Sequence, residues 1–191
     1  MQARLGGSRP KGRTGETSVS PGFADHQVIL GIDPSLRSTG YGVIRLAKPF
    51  PSTLAQGTIH CPREWPRSRC LARTAEVLRE VIRKHRPTAC AVEGLFFAQN
   101  LKTALIMGEA RGACLLTAGE AGLEVYEIAA RKVKQAIVGF GGAQKVAVAK
   151  MVQRILHLEK VPMADAADAL ALALALVQEN RGLVWRAPKR I

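Results

Sequence analysis

Val28-Ile29-Leu30-Gly31-Ile32-Asp33-Pro34 decides the fold. A short apolar run ends in a carboxylate and a proline. That pattern is a buried strand followed by a turn, with an acid delivered at the strand's carboxyl end. Tyr41-Gly42-Val43-Ile44-Arg45-Leu46 follows at hairpin distance as a second strand, and Thr53 to His60 supplies a third.

Beyond the hairpins the period changes. From Arg67 to Arg86, Leu71, Ala75, Leu78, Val81 and Ile82 recur at helical spacing, with Arg and Glu opposite, until Pro87 stops the helix. Ala89-Cys90-Ala91-Val92 is a small apolar strand with Glu93 at its end. A helix is expected from Asn100 to Gly119, a fifth strand from Leu123 to Ile128, and mostly helix from Ala129 to His157, broken at Gly139-Phe140-Gly141-Gly142. In the last element, Asp165 to Glu179, leucines alternate with alanines as they would on a strand. Ala, Leu, Glu and Gln favour helix and no β-branched residue precedes Val177, so the segment reads as a helix buried nearly all round. The order predicts an α/β fold: a mixed five-stranded sheet with helices on both faces.

Residues 1–26 are rich in Gly, Ser, Pro, Thr and Arg without an apolar period. They read as a disordered basic extension, and with no apolar h-region not as a secretory signal. The folded body is expected to span 27–180, and 181–191 is a basic tail carrying Arg181, Arg186, Lys189 and Arg190.

Hydrophobic residues make up 47% and charged residues 23% of the 191, which favours one globular domain with a real core. The formal charge is +13, and most of it stays with the body when both tails are set aside. The natural partner is a polyanion, nucleic acid first. No apolar run reaches the length of a membrane span. Cys61, Cys70, Cys90 and Cys114 form no CxxC pair, so zinc is disfavoured and reduced thiols in a cytoplasmic protein are expected. His26, His60, His85 and His157 are scattered and suggest no ligand set.

The chain has four aspartates, at 25, 33, 165 and 168, and three border apolar elements. Asp165 and Asp168 share a helix face at i, i+3. With Asp33 and Glu93 at strand ends, all four can converge. Converging carboxylates repel unless a cation sits among them, and hard oxygens suit magnesium or manganese. A pair of such ions about 4 Å apart serves phosphodiester cleavage. Taken singly, each acid has an ordinary alternative: Asp165 as an N-cap, Asp168 as a first-turn residue, Asp33 in an Asx-turn, Glu93 as a solvated strand end.

Several motifs together resemble the RuvC family of Holliday junction resolvases. Ile29-Leu30-Gly31-Ile32-Asp33-Pro34, Arg37 and Thr39-Gly40-Tyr41-Gly42-Val43-Ile44 resemble its first motif. Val92-Glu93, Phe96-Phe97-Ala98-Gln99-Asn100 and Gly108-Glu109-Ala110-Arg111-Gly112 resemble its second. Tyr126-Glu127, Arg131, Val133-Lys134-Gln135 and Ala143-Gln144-Lys145 resemble its third, and Ala164-Asp165-Ala166-Ala167-Asp168-Ala169-Leu170-Ala171 its last. Ser35-Leu36 stands where the family usually has a glycine, and Gly94 where it has a larger polar residue.

The resemblance implies a ribonuclease-H-like fold and a metal-dependent endonuclease. Asp33, Glu93, Asp165 and Asp168 would be the catalytic, metal-binding acids, holding two Mg²⁺ per subunit, with Mn²⁺ as substitute. Phe96 would stack on bases, Lys134 and Lys145 would lie near the scissile phosphate, and Arg111 and Asn100 would contact DNA. The implied partners are four-way junction DNA, a second copy in a homodimer, and the RuvA and RuvB branch-migration proteins. Two other classes share features: an inactive or RNA-directed relative of the YqgF type, and an actin-like ATPase, whose phosphate loop resembles Gly31-Ile32-Asp33 with Thr39-Gly40 but whose chains are much longer.

Overall fold

The computed structural model describes residues 26–94, 100–180 and 189–191, the side chains of 179 and 180 excepted. Six strands and five helices follow in order: β1 (Val28–Asp33), β2 (Ser38–Arg45), β3 (Ser52–His60), α1 (Arg67–His85), β4 (Ala89–Glu93), α2 (Leu101–Glu120), β5 (Glu124–Ile128), α3 (Ala130–Val138), α4 (Lys145–Ile155), α5 (Ala164–Asn180) and β6 (Lys189–Arg190).

They form one mixed sheet in the order β3-β2-β1-β4-β5-β6. β1, β2 and β3 pair antiparallel, whereas β1, β4 and β5 run parallel. β1 and β4 are buried on both faces, which is why they read as unbroken apolar runs, whereas β5 is half-buried and carries Glu124 and Glu127. Side chains alternate between two cores. Ile29, Ala89, Ala91 and Ile128 meet α3, α4 and α5, and Leu30, Ile32, Cys90 and Val92 meet α1 and α2. Helices therefore cover both faces, as the sequence implies.

Helix α5 is the element whose period was ambiguous. Every residue from Ala169 to Leu176 is at most 3% exposed, so its alanines and leucines are packed on all sides. The small residues let it approach the sheet closely. A Cβ on Gly31 of β1 would lie 1.9 Å from the Ala169 carbonyl oxygen, and one on Gly40 of β2 2.0 Å from that of Asp165. Leu170 is fully buried at this contact. Leu170→Ala is expected to cost about 3 kcal/mol, lowering the melting temperature by roughly 6–12 °C. A thermal melt showing no change would deny α5 this central position.

Three expectations are corrected. The sheet has six strands, not five, because Lys189 and Arg190 pair antiparallel with Glu127 and Tyr126 of β5. The basic tail therefore ends in the sheet, where Arg190 also pairs with Glu124 at 3.0 Å. His26, assigned to the disordered extension, is 3% exposed, and its ring nitrogens lie 2.9 Å from the Thr88 hydroxyl and 3.3 Å from Glu124. No local apolar period betrays either contact, since both partners are distant in sequence. The four cysteines are free and buried. Among the described residues, no helix is long and apolar enough to cross a membrane.

Candidate active site

The side-chain alternation of the parallel strands places the acids. Ile29, Gly31 and Asp33 share the face of β1 that meets α5, and Ala89, Ala91 and Glu93 share that face of β4. Both carboxylates stand at strand carboxyl ends, beside the first turns of α5, which carry Asp165 and Asp168. The chain leaves β1 through a turn closed by the buried Thr39, whose hydroxyl donates to the Ser35 carbonyl at 2.5 Å and accepts from the Ser35 N–H at 3.2 Å. A serine therefore suffices where the family usually has glycine.

Asp33 is the electrostatic centre. Its carboxyl is pushed from the ordinary 3.8 up to about 8, chiefly by burial, then by the charge of Glu93 and a hydrogen bond with it, then by Asp168, while Lys145 pulls the other way. Lys145 donates to Asp168 at 2.5 Å. Its ammonium is in turn held above its ordinary pKa, first by that bond and also by the charges of Asp168, Asp33 and Glu93, against the opposing effect of burial. The Asp165 carboxylate accepts the Ser38 hydroxyl.

Among the described residues, no three His, Cys, Asp or Glu side chains close on one point as a finished ligand set. The arrangement is instead a loose group of acids, with Lys145 engaging Asp168 and Ser38 engaging Asp165. Like charges spread when their neutralising partners are side chains. The donor set nevertheless fits a hard divalent cation. All its donors are carboxylate oxygens, Asp33 is raised by its acidic neighbours, and an ammonium group sits against one of them.

A cavity of about 120 Å³ opens onto this group, lined by Glu93, Asp168, Lys134 and Lys145 together with apolar residues of α3, α4 and α5. Both lysines expected near a phosphate thus share a wall with two of the acids. The remaining expectations fare differently. Phe96 lies outside the described residues. Asn100 is exposed, and its side-chain oxygen caps α2 by accepting the Thr103 N–H at 2.9 Å. Arg111 is a correction. It is 7% exposed, paired with Glu127, and donates to the Glu93 carbonyl oxygen at 3.0 Å, so it is a buried internal group rather than a surface DNA contact.

Sequence reasoning left out Ser38 and Glu127 as site residues. Ser38 carries no signal that it would meet a residue 127 positions away. Glu127 carried one: a charged residue inside an apolar strand asks for a buried partner.

The family described as crossover junction endodeoxyribonuclease RuvC matches residues 29–176. Its member from Chromohalobacter salexigens is 42% identical over 169 residues, covering 88% of this chain and 87% of that protein. The Vibrio parahaemolyticus member is 45% identical over 162 residues, covering 85% and 93%. A solved structure of T. thermophilus RuvC in complex with Holliday junction substrate superposes with a TM-score of 0.79 at 35% identity, covering 87% of this chain and all of that one. The matched span runs from β1 through α5, and so includes both strand-end acids and both helix acids. The chain, with its ribonuclease-H-like fold, belongs to the RuvC family of crossover junction endodeoxyribonucleases.

Proposed function

We propose that this protein resolves four-way DNA junctions in recombination and repair, nicking two opposing strands symmetrically and leaving 5′-phosphate and 3′-hydroxyl ends. The observation that carries this reading is the grouping of Asp33, Glu93 and Asp168 from three separate elements beside a lysine-lined cavity.

Asp33, Glu93, Asp165 and Asp168 are the residues that would hold two Mg²⁺ ions, with Mn²⁺ as substitute. When bound, the ions supply an activated water nucleophile and neutralise charge on the leaving oxygen. The chain's own groups do the rest. Asp33 interacts with both Glu93 and Asp168 and would hold metal together with them. Lys134 and Lys145 face the cavity and neutralise phosphate charge. Phe96 is assigned to base stacking and Asn100, at the exposed start of α2, to the DNA backbone.

A two-fold substrate suits a two-fold dimer. Helix α2 supports one: Leu101, Leu105 and Leu116 are exposed, and Gly108 and Gly112, at spacing that places them on the same face, have open space beyond them. The resemblance adds the RuvA–RuvB branch-migration machinery as a partner and the cytoplasm as the setting.

The test is a synthetic four-way junction, labelled one strand at a time and incubated with Mg²⁺. Paired nicks at symmetric positions are expected, and binding should weaken with salt by a slope of about −0.9 per phosphate contacted. Binding without nicks across several junction sequences and both metals would leave a junction-binding module. Equal affinity for linear duplex would remove the junction reading altogether.

Lys145→Met is expected to reduce cleavage on the order of 10²-fold, the usual effect of deleting one charge-stabilising donor. Junction affinity should change little, because one phosphate contact among many is lost. Single-turnover rates at saturating protein measure this directly, and an unchanged rate would return Lys145 to a solvated surface role.

A further inference from the structure

Buried Arg111 and its half-buried partner Glu127 belong to neither the proposed metal site nor the DNA surface, yet the pair touches the strand end that carries Glu93. Arg111 comes from α2, on the face of the sheet opposite α5. Its guanidinium spans two strands, donating to Glu127 of β5 and, at 3.0 Å, to the main-chain carbonyl of Glu93 on β4. Val92 and Glu127 are register partners. The same Glu93–Gly94 peptide is also held at its other end, where the Gly94 N–H donates to the Ile128 carbonyl at 2.9 Å. Gly94 itself leaves the room that Glu127 uses, since a Cβ there would lie 3.2 Å from the Glu127 Cγ.

A strand end normally frays, because its last carbonyl lacks a ladder partner. Here that carbonyl belongs to a residue whose side chain must point into the acid cluster. A peptide held on one face of the sheet restricts the backbone dihedrals that aim the carboxylate on the other. We propose that Arg111, neutralised by Glu127, is a positioning residue that braces the Glu93 peptide from behind the sheet and thereby sets the affinity of the acid cluster for its divalent cation. The proposal rests on the nuclease reading above and deepens it.

Removing one member of a buried pair strands the other charge, whereas replacing both with apolar groups of similar volume is tolerated. The informative variant is therefore Arg111→Met with Glu127→Leu. It fills the same space, abolishes the guanidinium bond to Glu93, and strands no charge. Mn²⁺ binding by calorimetry, the Mg²⁺ concentration for half-maximal cleavage, and metal-free junction binding are compared with those of the parent protein. A positioning role predicts parent-like melting and junction binding. Mn²⁺ affinity should be weaker by on the order of 10- to 100-fold, with the half-maximal Mg²⁺ concentration raised in step.

A pair that only stabilises the fold predicts parent-like metal binding in the double variant, and that result overturns the proposal. Should the double variant not fold, Arg111→Lys keeps the charge but loses the planar fork. Mn²⁺ affinity reduced about tenfold in that variant sustains the brace, and unchanged affinity overturns it. A parent protein that binds Mn²⁺ but cuts no junction would defeat the nuclease reading alone, since the calorimetry still judges the brace.

Discussion

Asp33→Asn is expected to abolish junction cleavage and, in the same protein, to raise the melting temperature measured without metal. Both effects come from one property. Asp33 is a carboxyl held largely out of water beside Glu93 and Asp168, and its proton affinity is correspondingly raised to about 8. The same burial among like charges that costs the fold stability gives the site its demand for a cation. On the proposed metal-holding role of Asp33, the loss of cleavage is expected to be on the order of 10³-fold or more. Binding to the junction, which depends on the basic surface, should persist.

The stability side has a definite sign. A carboxyl whose folded pKa lies above its unfolded value favours folding when protonated. That contribution is fully present below about 3.8 and is lost as the pH rises to about 8. Asparagine carries no charge at any pH, so the variant escapes the loss. In chelator, Asp33→Asn should gain almost nothing near pH 4 and on the order of 2 kcal/mol above pH 8 once relaxation around the charge is allowed for. That gain corresponds to roughly 4–8 °C. Melting curves at several pH values decide the matter. A pH-independent difference would show that Asp33 is not desolvated among like charges.

The second large effect concerns a residue with no side chain. Gly31→Ala places a Cβ 1.9 Å from the Ala169 carbonyl oxygen and 3.0 Å from the Ala173 amide nitrogen, both main-chain atoms of α5. No rotamer relieves such a contact. The helix must move away from β1 by more than an ångström, loosening Leu170, Ala173 and the residues they pack against. The cost is on the order of 4 kcal/mol, or about 8–16 °C in melting temperature.

The shift also separates Asp33 on β1 from Asp165 and Asp168 on α5. A misplacement of about 1 Å can cost on the order of 10²-fold in rate. The fraction of Gly31→Ala that remains folded should therefore cut slowly, even at temperatures well below its melting point. Melting within a degree or two of the parent, together with an undiminished rate, would mean that the helix has slack to give. Either half of that result alone would tell whether packing or alignment is the tighter constraint.

The sequence by itself determined which residues are acidic, which elements are apolar, and in what order they come. Asp33 after an apolar run, Glu93 after another and two aspartates opening an Ala-Leu helix were legible because strand alternation and helical period are local. The class of sheet followed from the same local signals, and the ordered motifs named the family. The sequence also favoured a helix at 165–179 over a strand, on propensity alone, and the all-round burial of Ala169 to Leu176 gives the reason for its composition.

Only the tertiary structure decided which face each side chain takes and who its partner is. Arg111 stands in a motif that resembles the family's and carries a charge suited to DNA, yet α2 is rotated so that it points inward to Glu127 and the Glu93 carbonyl. His26 and Lys189–Arg190 lie in segments without periodicity, and they join the fold through Glu124 and the edge of β5, both remote in sequence. Asp165 and Asp168, legible as a pair, take different partners, Ser38 and Lys145. The reason is common to all of these. Local period follows from backbone geometry over a few residues. The partner of a buried charge or an unpaired strand edge depends on how elements tens of residues apart are turned and packed, and no local pattern records that rotation.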